Sequence, residues 1–342
     1  MRICLYSNVF FPSIGGMESV AMSLARTWTM LGHDVLVISD TPGDAAADAG
    51  LPFRIVRLPG AGQWLALLAD RQVLICNGHS LRHVKAWRAA GIPFGWIHGM
   101  FLGGRLRDGV KSFLRLRFRR TTMRLANFNV CVSRTMKEHI RVADAVIIPN
   151  PVSSLFRRIA GIARTERFVF YGRMWMPKGM DTLLEAMALC REKGVAIAVD
   201  FYGDGPDLPA ARALAGRLGL QELAAFHGMI TGEPLVRAIN AGRAVVVPSR
   251  CNEAFGLAAA ESFACGKCVI GSLDGGLAEV LGDAALTFPP GDRVALARQM
   301  LQARDSEETV AAFEKRAAER APMYAEEAVA RRYIELFEKF AR

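Results

Sequence analysis

Two glutamates eight positions apart, Glu253 and Glu261, close the two ends of the run Glu253-Ala254-Phe255-Gly256-Leu257-Ala258-Ala259-Ala260-Glu261. A carboxylate accepts hydrogen bonds from adjacent hydroxyls, so each glutamate suits a polyol. The apolar residues around them predict a helix over 254–265, with Glu253 at its mouth and Glu261 two turns inside. Eight helical residues span about 12 Å along the axis. The two carboxylates are therefore spaced to reach opposite ends of one elongated polar ligand. Between them, the unpaired N–H groups of Phe255, Gly256 and Leu257 favour a phosphate. Glu261 is followed by Ser262-Phe263-Ala264, and a carboxylate on so apolar a helix is rarely buried without a partner. The competing reading is a solvated glutamate on the outer face.

Two cations complement these carboxylates. A predicted strand ends in Tyr171-Gly172-Arg173, and Lys178-Gly179 opens the next predicted helix. An arginine offers a bidentate fork and a lysine a point charge, a combination suited to a diphosphate whose negative charge grows as it departs. Either alone is readily a solvated surface cation. Gly15-Gly16, with Glu18 in the first turn of the following helix, forms a third loop. Glycines there admit a close ligand approach, but the full GxGxxG spacing is absent, and on its own the pair is more often an ordinary tight turn than a site. No Asp-x-Asp at a strand end suggests a metal. Cys265 and Cys268 have CxxC spacing without a second ligand pair, which reads as buried, reduced thiols.

These loops need strands to hold them. In the N-terminal half, apolar runs at 2–7, 35–39, 54–58, 73–76, 94–97, 129–132 and 146–148 predict strands, with a helix over 16–31. Asn150-Pro151 then breaks the pattern, and the polar stretch to Glu166 reads as a linker. A second series of strands follows at 167–171, 196–202, 224–227, 244–247 and 268–271. Helices are expected over 178–192, 206–218, 254–265 and 292–303, with an amphipathic closing helix over 325–340. Strands alternating with helices imply parallel βαβ units. The expectation is an α/β chain of two Rossmann-like doubly wound domains facing across a cleft, 1–152 and 165–322, with the helix 325–342 packing back on the first. A ligand would lie at the carboxyl ends of the strands.

The chain has 342 residues, half of them apolar, and a formal net charge of +10. That length suits two domains, and the charge calls for an anionic partner. No uncharged apolar run reaches the roughly 18 residues of a membrane span. Met1-Arg2-Ile3-Cys4-Leu5 reads as a first buried strand rather than a leader, because Ser7, Asn8 and Pro12 interrupt the apolar segment.

With these residues in view, the chain resembles the family-four retaining glycosyltransferases of GT-B architecture, also called group 1. The matching landmarks are Gly15-Gly16-Met17-Glu18, Leu31-Gly32-His33-Asp34-Val35, Ile148-Pro149-Asn150-Pro151-Val152, Gly172-Arg173 with Lys178-Gly179, Gly203-Asp204-Gly205-Pro206, the Glu253 to Glu261 signature, and Gly275-Gly276 with Glu279. The resemblance implies a UDP- or GDP-sugar donor and no metal or other cofactor. Arg173 and Lys178 would neutralise its diphosphate, and Glu261 would hold the ribose hydroxyls. Glu253 would take a hydroxyl of the transferred sugar, and Ala254, Phe255, Gly256 and Leu257 would line the donor. Gly15 and Gly16 would let the first domain's loop approach the phosphates and acceptor. His98 in Trp96-Ile97-His98-Gly99 matches a histidine that such enzymes place beside the donor sugar, the other reading being a satisfied residue at a strand end. Two positions depart from the pattern: Cys268 replaces a common proline, and Gly99 replaces an acidic residue.

The positive charge concentrates in 105–124, where Arg107, Lys111, Arg115 and Arg119 recur every four residues beside Leu106, Val110, Leu114 and Phe118. A basic amphipathic helix of this kind suits an anionic membrane surface, or merely covers the sheet. The resulting expectation is a cytoplasmic enzyme, peripheral on the inner face of the membrane, acting on a saccharide or lipid-linked acceptor in surface polysaccharide or glycolipid assembly. The rivals are another enzyme of the same architecture, such as a nucleotide-sugar epimerase, and a basic nucleic-acid-binding protein. No nucleic-acid module is recognisable, so nucleic acid is not expected as a partner.

Overall fold

A computed structural model describes every residue except 14, 44, 102–109 and 342, and the backbone alone at 45, 47 and 110–116. The chain divides into two compact units, Met1–Pro151 with Glu326–Arg342, and Val152–Ala325.

The first unit carries β1 (Arg2–Ser7), β2 (Asp34–Ser39), β3 (Arg54–Arg57), β4 (Val73–Asn77), β5 (Phe94–His98), β6 (Phe128–Cys131) and β7 (Val146–Ile147). They form one sheet in the order β3-β2-β1-β4-β5-β6-β7, all parallel. The central strands are near-continuous apolar runs because helices cover both faces. The closing helix Glu326–Glu338 belongs to this unit. Trp28, on the helix Gly16–Met30, donates through Nε1 to the Ala330 carbonyl at 3.2 Å and packs edge-on against Tyr333 and Phe337.

The second unit carries β8 (Phe168–Tyr171), β9 (Val199–Tyr202), β10 (Ala224–Gly228), β11 (Val245–Val247), β12 (Val269–Ser272) and β13 (Leu286–Phe288). Its order is β10-β9-β8-β11-β12-β13, again all parallel. In each sheet the order reverses beside the first strand, at β1/β4 and at β8/β11. At such a switch point the following connections leave on opposite faces and open a crevice at the carboxyl edge.

Three expectations need correction. The helix placed over 254–265 runs only from Leu257 to Ala264, because Gly256 at its N-cap has φ +103° and cannot continue a helix backwards. Glu253 therefore lies in the loop before the helix, and Glu261 little more than one turn inside it. Lys178 does not open an α-helix; it ends a 3₁₀ turn, Met176–Lys178, and the α-helix starts at Met180. The stretch read as a linker packs on the second unit. The Val152 N–H donates to the Tyr324 carbonyl at 2.8 Å, and buried Asn240 accepts from the Ile159 N–H while donating to the Arg157 carbonyl. The edge strand β13, three residues long, carries too little pattern to have been anticipated.

Candidate functional site

In the second unit, the chain leaving β8 and the chain leaving β11 meet at the switch point. The first brings Gly172, Arg173 and Lys178; the second brings Ser249 to Glu253. Lys178 Nζ donates to Glu253 Oε1, and Ser249 Oγ donates to the same oxygen at 2.7 Å. Burial alone would lower the Lys178 pKa, but the Glu253 carboxylate reverses this and holds the ammonium above its usual value. Two tight approaches lock the loops together. Gly179 has φ +84°, and a Cβ there would lie 1.8 Å from the Pro248 carbonyl oxygen. Alongside, the Arg250 N–H donates to the Pro177 carbonyl at 2.9 Å and its guanidinium pairs with Asp181.

The backbone of Glu253 is held from a third loop. Its carbonyl accepts from the Gly276 N–H at 2.6 Å, and its N–H donates to Asp274 Oδ2 at 3.3 Å. The Asp274 carboxyl is pushed up by burial. The glycines that permit this contact are Gly275, whose Cβ would meet the Glu253 carbonyl at 2.6 Å, and Gly256, whose Cβ would meet Leu277 at the same distance. Phe255 is buried with its ring edge-on to Tyr324, which anchors the segment before the helix. Ala254 lies between these supports. The N–H groups of Ala259 and Ala260 both turn back to the Gly256 carbonyl, so those of Leu257 and Ala258 head the helix, where an anion is favoured.

Glu261 stands apart from the Lys178–Glu253 pair. Its partner is Tyr171, the last residue of β8, whose hydroxyl lies 3.2 Å from Oε2. It joins no ion pair among the described residues, and burial pushes its carboxyl up to about 8, with the Tyr171 hydrogen bond opposing. A raised folded-state pKa means that the folded chain holds this proton more tightly than the unfolded chain. Stability is then full below about 4.5, the unfolded value, and is lost as pH rises through about 8. Glu261→Gln removes that loss. Thermal melts of the variant should match wild type near pH 5 and exceed it at pH 8, by about 2 kcal/mol or roughly 5 °C after allowance for partial exposure. Equal melting differences at both pH values would refute this.

Arg173 follows Gly172 directly and is exposed, with no side-chain partner among the described residues. Two positions beyond β8, the Arg173 guanidinium is thus unpaired among the described residues, while Lys178 pairs with Glu253. Cys265 and Cys268 are buried free thiols pushed up to about 12 by burial, which makes them poor nucleophiles at neutral pH.

The first unit places its own candidates at the carboxyl edge of its sheet. Asn77, ending β4, donates to Ser7 Oγ at the end of β1 and to the Met17 carbonyl. It thereby fixes the Gly15-Gly16 turn at the β1/β4 switch point. Gly15 is extended at φ 179°, so its backbone is unstrained. What a side chain there would meet is Glu18 Oε2, at 2.6 Å. His98 ends β5 and is buried. Its Nε2 lies 2.8 Å from Asn129 Oδ1, and Asn129 Nδ2 donates to the Met123 carbonyl. That orientation makes Nε2–H the donor and leaves Nδ1 as the ring's acceptor. Burial pushes His98 down to about 4, so it is neutral at physiological pH. Residues 105–109 of the basic segment lie outside the described residues. Of the remainder, Val110–Met123 is helical, and Arg117 and Phe118 are exposed.

A family model described as Glycosyltransferase Family 4 matches residues 14–154, and one described as Glycosyl transferases group 1 matches residues 165–305. The chain belongs to the family 4, group 1 glycosyltransferases. This glycosyltransferase is 39% identical over 129 residues to a D-inositol 3-phosphate glycosyltransferase of Mycolicibacterium gilvum, a match spanning 37% of this chain and 29% of that one. It is 26% identical over 320 residues to a GDP-mannose-dependent alpha-(1-6)-phosphatidylinositol dimannoside mannosyltransferase of Mycobacterium tuberculosis, covering 82% of each. Among solved structures, Anabaena HepE in complex with UDP and glucose superimposes with a TM-score of 0.83 at 17% identity, over 99% of both chains. The fold of this glycosyltransferase is GT-B.

Sequence reasoning assigned no role to three residues of the glycosyltransferase that the geometry brings forward. Ser249 and Asp274 clamp Glu253 from the side chain and the backbone, and Tyr171 meets Glu261. Asp274 and Tyr171 reach their partners because strands that are neighbours in space are distant in sequence, whereas Ser249 meets Glu253 within one loop, four positions away. Asp274 alone carried a hint, standing directly before Gly275-Gly276.

Proposed function

We propose that this glycosyltransferase moves a sugar from a UDP- or GDP-sugar to a saccharide or lipid-linked acceptor, with retention of anomeric configuration. The observation that carries the reading is the cluster at the β8/β11 switch point. There Lys178 pairs with Glu253, the turn that follows Arg173 packs on the loop running from Pro248 to Glu253, and the apolar helix Leu257–Ala264 begins four residues further on. In this reading Arg173, Lys178 and the N–H groups heading the helix Leu257–Ala264 bind the diphosphate. They supply the positive charge that a divalent ion would otherwise bring to the leaving group, so no metal is needed. Glu253, held by Lys178 and Ser249, accepts a hydroxyl of the transferred sugar, while Glu261 accepts the ribose hydroxyls. Ala254 to Leu257 line the donor. Neutral His98 offers Nδ1 to a hydroxyl beside the reacting sugar, and Gly15 and Gly16 leave room for donor phosphate or acceptor.

The acceptor assignment draws support from the relatives, whose names refer to an inositol phosphate and a phosphatidylinositol glycoside. A lipid-linked acceptor fits a glycosyltransferase peripheral to the inner face of the cytoplasmic membrane, bound through the basic segment 105–124, in surface polysaccharide or glycolipid assembly. No helix among the described residues is long and apolar enough to cross a membrane. Vesicles containing anionic lipid should co-sediment the wild-type chain and release Arg115→Glu/Arg119→Glu; unchanged binding of the variant would refute the surface.

Transfer itself is tested by incubating the chain with UDP-glucose, UDP-N-acetylglucosamine, UDP-galactose and GDP-mannose in the presence of candidate acceptors. Free UDP or GDP should accumulate from one donor, and the product's anomeric proton coupling should match the donor's. Absence of nucleotide release from any of them would remove the reading, and an inverted product would remove retention.

A further inference from the structure

Tyr171 closes β8 one residue before Gly172, and its ring is buried. Its hydroxyl lies 2.7 Å from the Ala258 carbonyl oxygen, 3.2 Å from Glu261 Oε2 and 3.3 Å from Ser262 Oγ. Ser262 Oγ itself donates to the Ala258 carbonyl at 2.7 Å, so that oxygen keeps a partner if the phenol turns away. A phenol has one proton and donates to one neighbour at a time. The arrangement therefore has two self-consistent states. In one, Tyr171 donates to Ala258 and accepts from a protonated Glu261. In the other, Tyr171 donates to an ionised Glu261. Among the described residues, the titratable groups that interact with Glu261 are Tyr171 from β8 and, one turn on at the end of its own helix, Cys265, while Ser262 meets Tyr171. With no ion pair at Glu261 among the described residues, the phenol is the group placed to tip the balance.

We propose that Tyr171 is a positioning residue for nucleoside recognition: its hydroxyl swings from the Ala258 carbonyl to Glu261 when the vicinal diol of a ribose docks, and capture of the diol expels one proton from Glu261. This rests on the reading that Glu261 holds the donor's ribose. The Glu261 carboxyl O–H bond breaks, and its proton passes to bulk water. The carboxylate formed accepts the two ribose hydroxyls and the Tyr171 hydroxyl, which keeps its own proton. Burial, which pushes Glu261 up to about 8, places the exchange in the neutral range.

The test is equilibrium titration with UDP, GDP and their 2′-deoxy counterparts between about pH 6 and pH 9, on wild type, Tyr171→Phe, Ser262→Ala and Glu261→Gln. The ratio of ribo to deoxy affinity cancels the titration of the nucleotide's own phosphate. In wild type that ratio should rise about tenfold per pH unit and level off near pH 8. In Tyr171→Phe the levelling moves to higher pH, and the ratio at pH 7 falls about 3- to 10-fold. Ser262→Ala removes the substitute partner of the Ala258 carbonyl and should shift the curve the same way by less. Glu261→Gln should be flat. Tyr171→Phe and Ser262→Ala curves that both superimpose on wild type, with Glu261→Gln flat, overturn the role of Tyr171 alone. A wild-type ratio indifferent both to pH and to Glu261→Gln overturns the ribose reading beneath it.

Discussion

Lys178→Ala is expected to slow sugar transfer by about 10³-fold, the scale of removing a preorganised group that stabilises transition-state charge. The lysine's interaction with the diphosphate strengthens as the leaving group gains charge, so kcat should fall further than KM rises. The same change leaves Glu253 beside Ser249 with no cation, half-buried and unneutralised. Breaking one side of such a pair costs more than the pair was worth, here about 1–2 kcal/mol given the partial exposure of Lys178. Glu253→Gln keeps the shape and removes the charge. The double variant Lys178→Ala/Glu253→Gln should therefore regain stability over Lys178→Ala while remaining at least about 10³-fold slower than wild type. Stopped-time assays of nucleotide release and urea midpoints on the four proteins separate the two effects. Additive losses of stability would show that the lysine and glutamate do not depend on each other.

Gly179→Ala should be severely damaging for a single added methyl. The left-handed φ of +84° costs an L residue about 1–2 kcal/mol. In addition, the new Cβ would sit 1.8 Å from the Pro248 carbonyl oxygen, a backbone atom fixed at the end of β11. Relief requires the Lys178 turn to move away from the Pro248–Glu253 loop. The total cost is expected at about 3–4 kcal/mol, with loss of donor affinity because Lys178 and Glu253 separate. Gly194 is the matched control. Its φ is +79°, but a Cβ there meets nothing within 4 Å, so Gly194→Ala should cost only the conformational penalty of about 1 kcal/mol. Denaturant titrations of both variants check the difference. Equal effects would mean that contact between the loops contributes nothing.

Much of the architecture was legible because parallel strands buried on both faces are written as unbroken runs such as Cys4-Leu5-Tyr6 and Val245-Val246-Val247. Helix starts were less so. Nothing in Ala254-Phe255-Gly256 says that Gly256 takes φ +103° and delays the helix to Leu257. A Cβ there would also lie 2.6 Å from Leu277 of the neighbouring helix, a contact distant in sequence that favours glycine at this position. The cations and carboxylates of the candidate site could be named from local pattern and resemblance. Their pairing could not, since Lys178 meets Glu253 across 75 positions and Tyr171 meets Glu261 across 90. Both contacts follow from strand order. The stretch before Glu166 misled for a related reason: its polar residues read as a solvated connector, yet Asn240 satisfies their backbone from another helix.

The claim that Lys178 and Glu261 hold a nucleoside diphosphate is tested most directly by calorimetric titration of UDP and GDP into wild type, Lys178→Ala and Glu261→Gln. One of the two nucleotides should bind the wild-type chain with a Kd in the micromolar range, about −8 kcal/mol. Each substitution should weaken that binding at least tenfold at pH 8. Failure of both nucleotides to bind wild type, or binding that neither substitution weakens, would contradict the assignment.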